Sequence, residues 1–167
     1  ERGRYVCWAS IRHMVNIREA NISDARQCCE VLCSSIRKLC TADHNGDEQL
    51  ILEWIGNKTE ENMQKSILNK DTKFFVAVRE NEIQGVGAIS FPDEVSLMYV
   101  SPKSRYIGIS RAILAVLEST LAESGCSNGK LTSTSTAHEF YKASGWTDVK
   151  KIHSWPGFDA YVMEKRL

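Results

Sequence analysis

Residues 100–114 read VSPKSRYIGISRAIL, a stretch in which Arg105, Gly108 and Ser110 stand where an extended run breaks at Pro102 and an apolar helix pattern begins. A helix N-terminus presents N–H groups without intrahelical partners and the positive end of the helix dipole. A loop running straight into one is therefore a candidate phosphate site wherever backbone can approach closely. Gly108 permits that approach and Arg105, three residues earlier, adds positive charge. The same residues alone also fit a plain turn before a helix. The stretch is neither a P-loop, since no Gly-Lys-Ser/Thr follows, nor a dinucleotide fingerprint, since GxGxxG is missing. A second group of chemically able residues is Cys29, Cys33, Cys40 and His44. They are metal-ligand types, but the cysteines share a helical stripe with Ile22, Ala25, Leu32, Ile36 and Leu39, and free cysteine usually packs as a small hydrophobe. They are read as core, and no metal is expected.

The elements that would position these residues follow from periodicity. VNIREA (15–20) alternates apolar and polar, a strand. Asn21 or Ser23 then caps a helix of about four turns, with apolar positions spaced three and four apart through Leu39. TADHNGDEQ (41–49) is turn chemistry. Leu50, Ile51, Trp54 and Ile55 mark a short helix ended by Gly56, and Thr59 starts another over TEENMQKSILN. KFFVAV, IQGVGAISF and VSLMYV are extended segments separated by RENE and PDE, linkers short enough to imply antiparallel neighbours. After Pro102, Ile109, Ala112, Ile113, Val116, Leu117 and Leu121 recur at helical spacing until Gly125. KLTST is a short strand, and the next helix opens with Thr136 and Glu139 as a capping box and stops at Gly145. WTDVKKI and DAYVMEK finish as strands around Trp155-Pro156-Gly157. The order β-α-α-α-β-β-β-α-β-α-β-β predicts an α+β fold.

Composition narrows the functional classes. The chain has 167 residues, 43% apolar and 25% charged, which suits one domain, expected over 14–167, with room for a core. Its 21 basic residues balance 21 acidic ones, so no electrostatic grip on nucleic acid or an anionic membrane is expected. There is no apolar run of about 18 residues and no signal-peptide pattern, and a cytoplasmic location is expected. The cysteines, Cys7, Cys28, Cys29, Cys33, Cys40 and Cys126, are too unevenly placed for a disulfide framework and are read as reduced thiols. Residues 1–13, ERGRYVCWASIRH, show neither strand nor helix period, and His13-Met14 is the dipeptide a common cloning junction leaves. They are expected to be a vector-derived or disordered leader, with Met14 the natural start.

YVSPKSRYIGISRAIL (99–114) resembles the coenzyme A pyrophosphate loop of the GNAT superfamily of N-acetyltransferases, in which a strand ending in Val-x-Pro leads to Arg/Gln-x-x-Gly-x-Gly/Ala and a helix. STAHEFYKASGW (135–146) resembles that family's second signature, and NIREANISDARQC its opening strand and helix. The resemblance runs from Val15 to Leu167, with two departures: Tyr106 stands where the family often has glycine, and Ser110 where it has Gly/Ala. It implies a mostly antiparallel twisted sheet of six to seven strands with four to five helices, splayed between the fourth and fifth strands. It implies acetyl-CoA as co-substrate, its pyrophosphate held by amides among Arg105, Tyr106, Ile107, Gly108, Ile109 and Ser110. The pantetheine arm would pair with the strand through Met98, Tyr99 and Val100 as a missing strand would.

The chemistry so implied is direct attack of an amine on a thioester. An N–H near Tyr99 or Val100 would polarise the thioester carbonyl, and Tyr141, whose unperturbed pKa is about 10, would protonate the leaving thiolate. Glu94 sits near where some family members carry a carboxylate base, and water is the alternative. Asp43 and His44, the other candidates for the base, lie in the helix-linking region that often lines the acceptor pocket, and Trp54 is read as a core residue or an acceptor contact. The acceptor expected is a small-molecule or peptide amine, and family analogy adds a homodimer. Two other readings stand beside this one. A non-catalytic acyl-CoA-binding regulator would not need Tyr141, and a toxin acetylating aminoacyl-tRNA would want a basic surface.

Overall fold

The computed structural model describes residues 15–154 and 156–167; the expected leader, Cys7, Met14 and Trp155 lie outside the described residues. Its order is β1 (Asn16–Glu19), α1 (Ala25–Leu39), α2 (Thr41–His44), α3 (Glu48–Ile55), α4 (Glu60–Leu68), β2 (Thr72–Arg79), β3 (Glu82–Ser90), β4 (Glu94–Val100), α5 (Ile109–Glu123), β5 (Asn128–Thr134), α6 (Ser135–Ala143), β6 (Thr147–Ser154) and β7 (Phe158–Arg166). The strands form one sheet in the order β1-β2-β3-β4-β5-β7-β6, antiparallel throughout except for the parallel pair β4 and β5. This is the expected α+β architecture, with α2 as an addition. Among the described residues no helix is long and apolar enough to cross a membrane.

Period-2 alternation in a sheet covered on both sides explains the core. Phe74 and Val76 of β2 pack with Ala25, Cys28, Cys29 and Leu32 of α1 on one face. Phe75 and Ala77, one residue out of step, pack with Ile109, Ile113, Leu117 and Leu121 of α5 on the other. Each fully buried Leu or Ile contributes about 1.5–3 kcal/mol. The glycines of IQGVGAISF let α5 lie close: a Cβ on Gly85 would stand 2.6 Å from Ile113 Cδ1, and one on Gly87 would overlap Ile113 Cγ2. The RENE linker is a tight hairpin with Glu80 and Asn81 both at positive φ, the backbone of a type I′ turn.

Three local details differ from the sequence expectation. Asn21 caps a short 3-10 turn, Ile22–Asp24, in a reciprocal capping box with Asp24, and Ile22 is exposed instead of joining the α1 stripe. The turn chemistry at TADH is one turn of helix, α2, closed by Asn45 in the left-handed region. At α6 the capping residue is Thr134, whose hydroxyl accepts from Ala137 N–H at 3.3 Å, two residues before the expected Thr136.

Candidate active site

The central feature is the opening between β4 and β5. These parallel strands share a single register pair, Glu94 with Lys130, backed by the Lys130 N–H to Asp93 carbonyl bond at 2.8 Å and the Lys130–Asp93 ion pair at 2.6 Å. Beyond that pair they diverge, while β5 stays paired to β7 along Asn128–Thr134. On the other side of β4, Ala88 faces Leu97 but Ile89 faces Val95, which leaves Ser96 as a bulge. Ser101 N–H donates to the Gln84 carbonyl of β3 at 2.8 Å, and Tyr99 and Leu97 stand opposite Val86 and Ala88. Strand alternation therefore turns the N–H and C=O of Tyr99 and Leu97 toward β3, and those of Met98 and Val100 toward the splay. Of the two N–H groups that the sequence offered for a thioester carbonyl, Val100's faces the opening and Tyr99's is engaged by β3.

The splay is the rim of a cavity of about 610 Å³, walled by Val95–Val100, by Thr132–Thr134 of β5, by Phe140 and Tyr141 of α6, and by the loop into α5. That loop begins with the 3-10 turn Pro102–Ser104, held at both ends by Gln84: its carbonyl takes Ser101 N–H and its side-chain oxygen takes Ser104 Oγ–H at 2.6 Å. Gln84 is the extra residue of a bulge on β3, where Ala77 faces Gly85 and Val78 faces Ile83. It is a positioning residue with no sequence signal. Tyr106 (φ +65) and Gly108 (φ +87) then turn the chain through the left-handed region into α5. A Cβ on Gly108 would meet nothing within 4 Å, so glycine is required there by φ, with open space beside it.

The first turn of α5 has no side-chain cap, which leaves the N–H groups of Ile109, Ser110 and Arg111 without internal partners. Arg105 and Arg111 both line the cavity, and no carboxylate does among the described residues. The mouth is therefore cationic, and Arg111, one turn along, adds a charge that the motif alone did not single out. Tyr106 is 87% exposed and lies under the Arg105 guanidinium, 4.6 Å from ring centroid to Cζ. Its positive φ accounts for the glycine preference at this place. Ile107 is half exposed and is not among the cavity walls.

Tyr141 belongs to both core and cavity. Its ring packs edge-on against Phe140 and Trp146, at centroid distances of 5.4 and 6.2 Å, and its burial pushes the phenol well above the ordinary tyrosine range. It stays a protonated donor across any working pH. Tyr99, on the α1 side of β4, is raised in the same way by burial. Phe140, packed against the same core cluster, lines the cavity beside Tyr141.

The remaining expected residues lie off the cavity walls. Glu94 is exposed at the closed end of the splay. Asp43 is buried, and its carboxylate accepts from Ser135 N–H at 2.7 Å, Thr136 N–H at 3.2 Å and Thr136 Oγ–H at 2.5 Å, tying α2 to the start of α6. His44 is buried with both ring nitrogens used: Nε2 donates to the Ile36 carbonyl at 2.9 Å and Nδ1 accepts from Gly46 N–H at 3.0 Å. Trp54 packs in the core, 4.5 Å from Phe158 between ring centroids. Ser35, Leu39 and Cys40 at the end of α1, together with Tyr99, wall the cavity instead. Among the described residues no group of side chains could hold a metal ion.

A strand edge left unpaired beside an uncapped helix N-terminus defines a class, and comparison with known families agrees: residues 41–167 match the family model described as an acetyltransferase (GNAT) domain. The chain belongs to the GNAT superfamily of acetyltransferases. A GCN5-related N-acetyltransferase from Rhodopseudomonas palustris superposes with a TM-score of 0.83 at 17% identity, over 92% of this chain and 96% of that one. The PaiA N-acetyltransferase from Thermoplasma acidophilum, solved in complex with coenzyme A, gives 0.76 at 21% identity, over 92% and 99%. The ribosomal-protein-S18-alanine N-acetyltransferase from Escherichia coli gives 0.67 at 17%, over 92% and 94%. At these identities the likeness is one of fold. No curated protein sequence matches this chain.

Proposed function

We propose that the protein transfers an acetyl group from acetyl-CoA to an amine by direct attack within a ternary complex. The observation that carries this reading is the splay: free N–H and C=O groups of Met98 and Val100 run up to the uncapped, arginine-flanked start of α5. The residues fit the co-substrate. Open space at Gly108 admits a phosphate close to backbone, the cationic mouth suits a pyrophosphate, and a cavity of about 610 Å³ accommodates an extended arm. Acetyl-CoA supplies the activated thioester.

In this reading Arg105, Arg111 and the first-turn amides of α5 hold the pyrophosphate, and Met98 and Val100 align the arm by main-chain bonds. Val100 N–H polarises the carbonyl, and Tyr141 gives its proton to the departing sulfur. Holding both reactants in one cleft supplies up to about 7–11 kcal/mol in well-oriented cases. With no carboxylate among the described cavity walls, the proton of the amine goes to water and Glu94 has no part in the step. The acceptor enters on the side of Ser35, Leu39, Cys40 and Tyr99. The unpaired described cysteines suit a reducing, cytoplasmic setting.

The test is release of free thiol from acetyl-CoA in the presence of a panel of small amines, amino-acid amides and peptide N-termini. Amine-dependent release is expected. Binding of acetyl-CoA with no release for any amine would turn the reading to a non-catalytic acyl-CoA-binding domain.

A further inference from the structure

A second cavity, of about 370 Å³, lies on the α1 face of the sheet. Phe74 of β2 and Leu97 of β4 line its floor, and each stands opposite Ala88 of β3 in the sheet. Leu32 of α1 and Met63 of α4 are its walls. The rim is polar, and Lys58 gives it its character. Lys58 is half-buried, its ammonium donates to Asn57 Oδ1 at 2.6 Å, and among the described residues it forms no ion pair. The nearest acids in sequence, Glu60 and Glu61, are exposed, and Glu61 pairs with Lys65 at 2.7 Å. Burial holds the Lys58 pKa below its ordinary value, with the Cys33 and Cys29 thiols as the neighbours that act against it.

A half-buried cation without a counter-charge, above an apolar floor, is an incomplete arrangement that a carboxylate with a compact apolar body would complete. We infer that this cavity is a binding site for such a small carboxylate, its body resting on Leu32, Phe74 and Leu97 and its charge met by the Lys58 ammonium. The amide of Asn62, whose Nδ2 donates to the Asn57 carbonyl at 3.0 Å, holds the segment that carries Lys58 in place. Leu97 also walls the larger cavity, so an occupant touches the strand that lines the splay. The site stands on its own geometry and does not depend on the transfer reaction.

Calorimetric titration of the full chain with benzoate and hexanoate, against benzamide, hexanamide and inorganic phosphate, tests this. At least one acid is expected to saturate with a dissociation constant of about 1 mM or tighter. The matching amide should bind at least roughly tenfold more weakly, as loss of a charge-assisted hydrogen bond implies. Lys58→Met should bring the acid down to the affinity of the amide, and Ser66→Phe, which fills the cavity from its rim, should weaken acid and amide alike, with folding checked by circular dichroism. Folded protein that binds neither acid would overturn the inference. So would acid binding that survives Lys58→Met, or that responds to Arg105→Ala instead.

Discussion

Replacing Asp43 separates a positioning role from a catalytic one. Its carboxylate accepts from two main-chain N–H groups and one hydroxyl at the start of α6, the helix that carries Tyr141. Asp43→Ala leaves three half-buried donors of Ser135 and Thr136 without a partner and removes a negative charge from the positive end of a helix. An orphaned buried donor costs about 1–3 kcal/mol and the dipole contact about 0.3–1 kcal/mol. The losses overlap, since Thr134 still caps Ala137 and water reaches part of the gap, so the total is about 3 kcal/mol. For a chain of this size that lowers Tm by about 6–12 °C. Asp43→Asn keeps one acceptor oxygen and should lose roughly half as much. Thermal and urea unfolding give the stabilities, and kcat for thiol release gives the function. Activity should fall in step with the displacement of α6, more for Ala than for Asn. If Asp43→Asn kept wild-type Tm while kcat collapsed, Asp43 would be acting on substrate and the positioning account would be refuted.

Other expectations follow from the same geometry. Tyr141→Phe should leave acetyl-CoA affinity unchanged and lower kcat roughly 100-fold or more, the usual share of a general acid. Because burial raises the phenol's pKa, the wild-type rate should show no alkaline loss from this group up to about pH 10, and a loss well below that would assign the proton elsewhere. Gly87→Val should cost about 1–3 kcal/mol by forcing Ile113 and Leu117 of α5 away from β3, read as a fall in urea midpoint at constant m. The Arg18 guanidinium, bonded to Asp24 at 2.7 and 2.9 Å, holds that carboxyl below its ordinary pKa. The stability it confers is therefore complete above the unfolded-state value of about 4 and is lost as pH falls through the lower folded value. The gap between wild type and Asp24→Asn should be flat at neutral pH and close in acid.

The sheet and the long helices could be read in the sequence because both faces of β2 and β3 are buried against amphipathic helices. Phe74 and Val76 take one side and Phe75 and Ala77 the other, and the stripe on α5 has its own 3.6-residue period. The splay came from the resemblance of the loop at 99–114 to a known family, and the register confirms it in the single Glu94–Lys130 pair. What could not be read depends on distant partners. The helix turn at TADH exists because Asp43 bonds a helix 92 residues on, while locally the residues favour a turn. Thr136 looked like a cap because Glu139 follows three residues on, but its hydroxyl bonds Asp43. Bulges at Gln84 and Ser96 have no composition signal, since they are set by pairing. The left-handed backbone at Tyr106 was visible only as a missing glycine.

The central claim is that the splay and the start of α5 hold a coenzyme by its pyrophosphate. The most direct measurement is a calorimetric titration with acetyl-CoA, repeated with free pantetheine and with Arg105→Ala. The account predicts binding in about the micromolar range, weakened roughly tenfold or more by the loss of either the pyrophosphate or the arginine. Folded protein that binds no acetyl-CoA, or that binds pantetheine equally well, would contradict it.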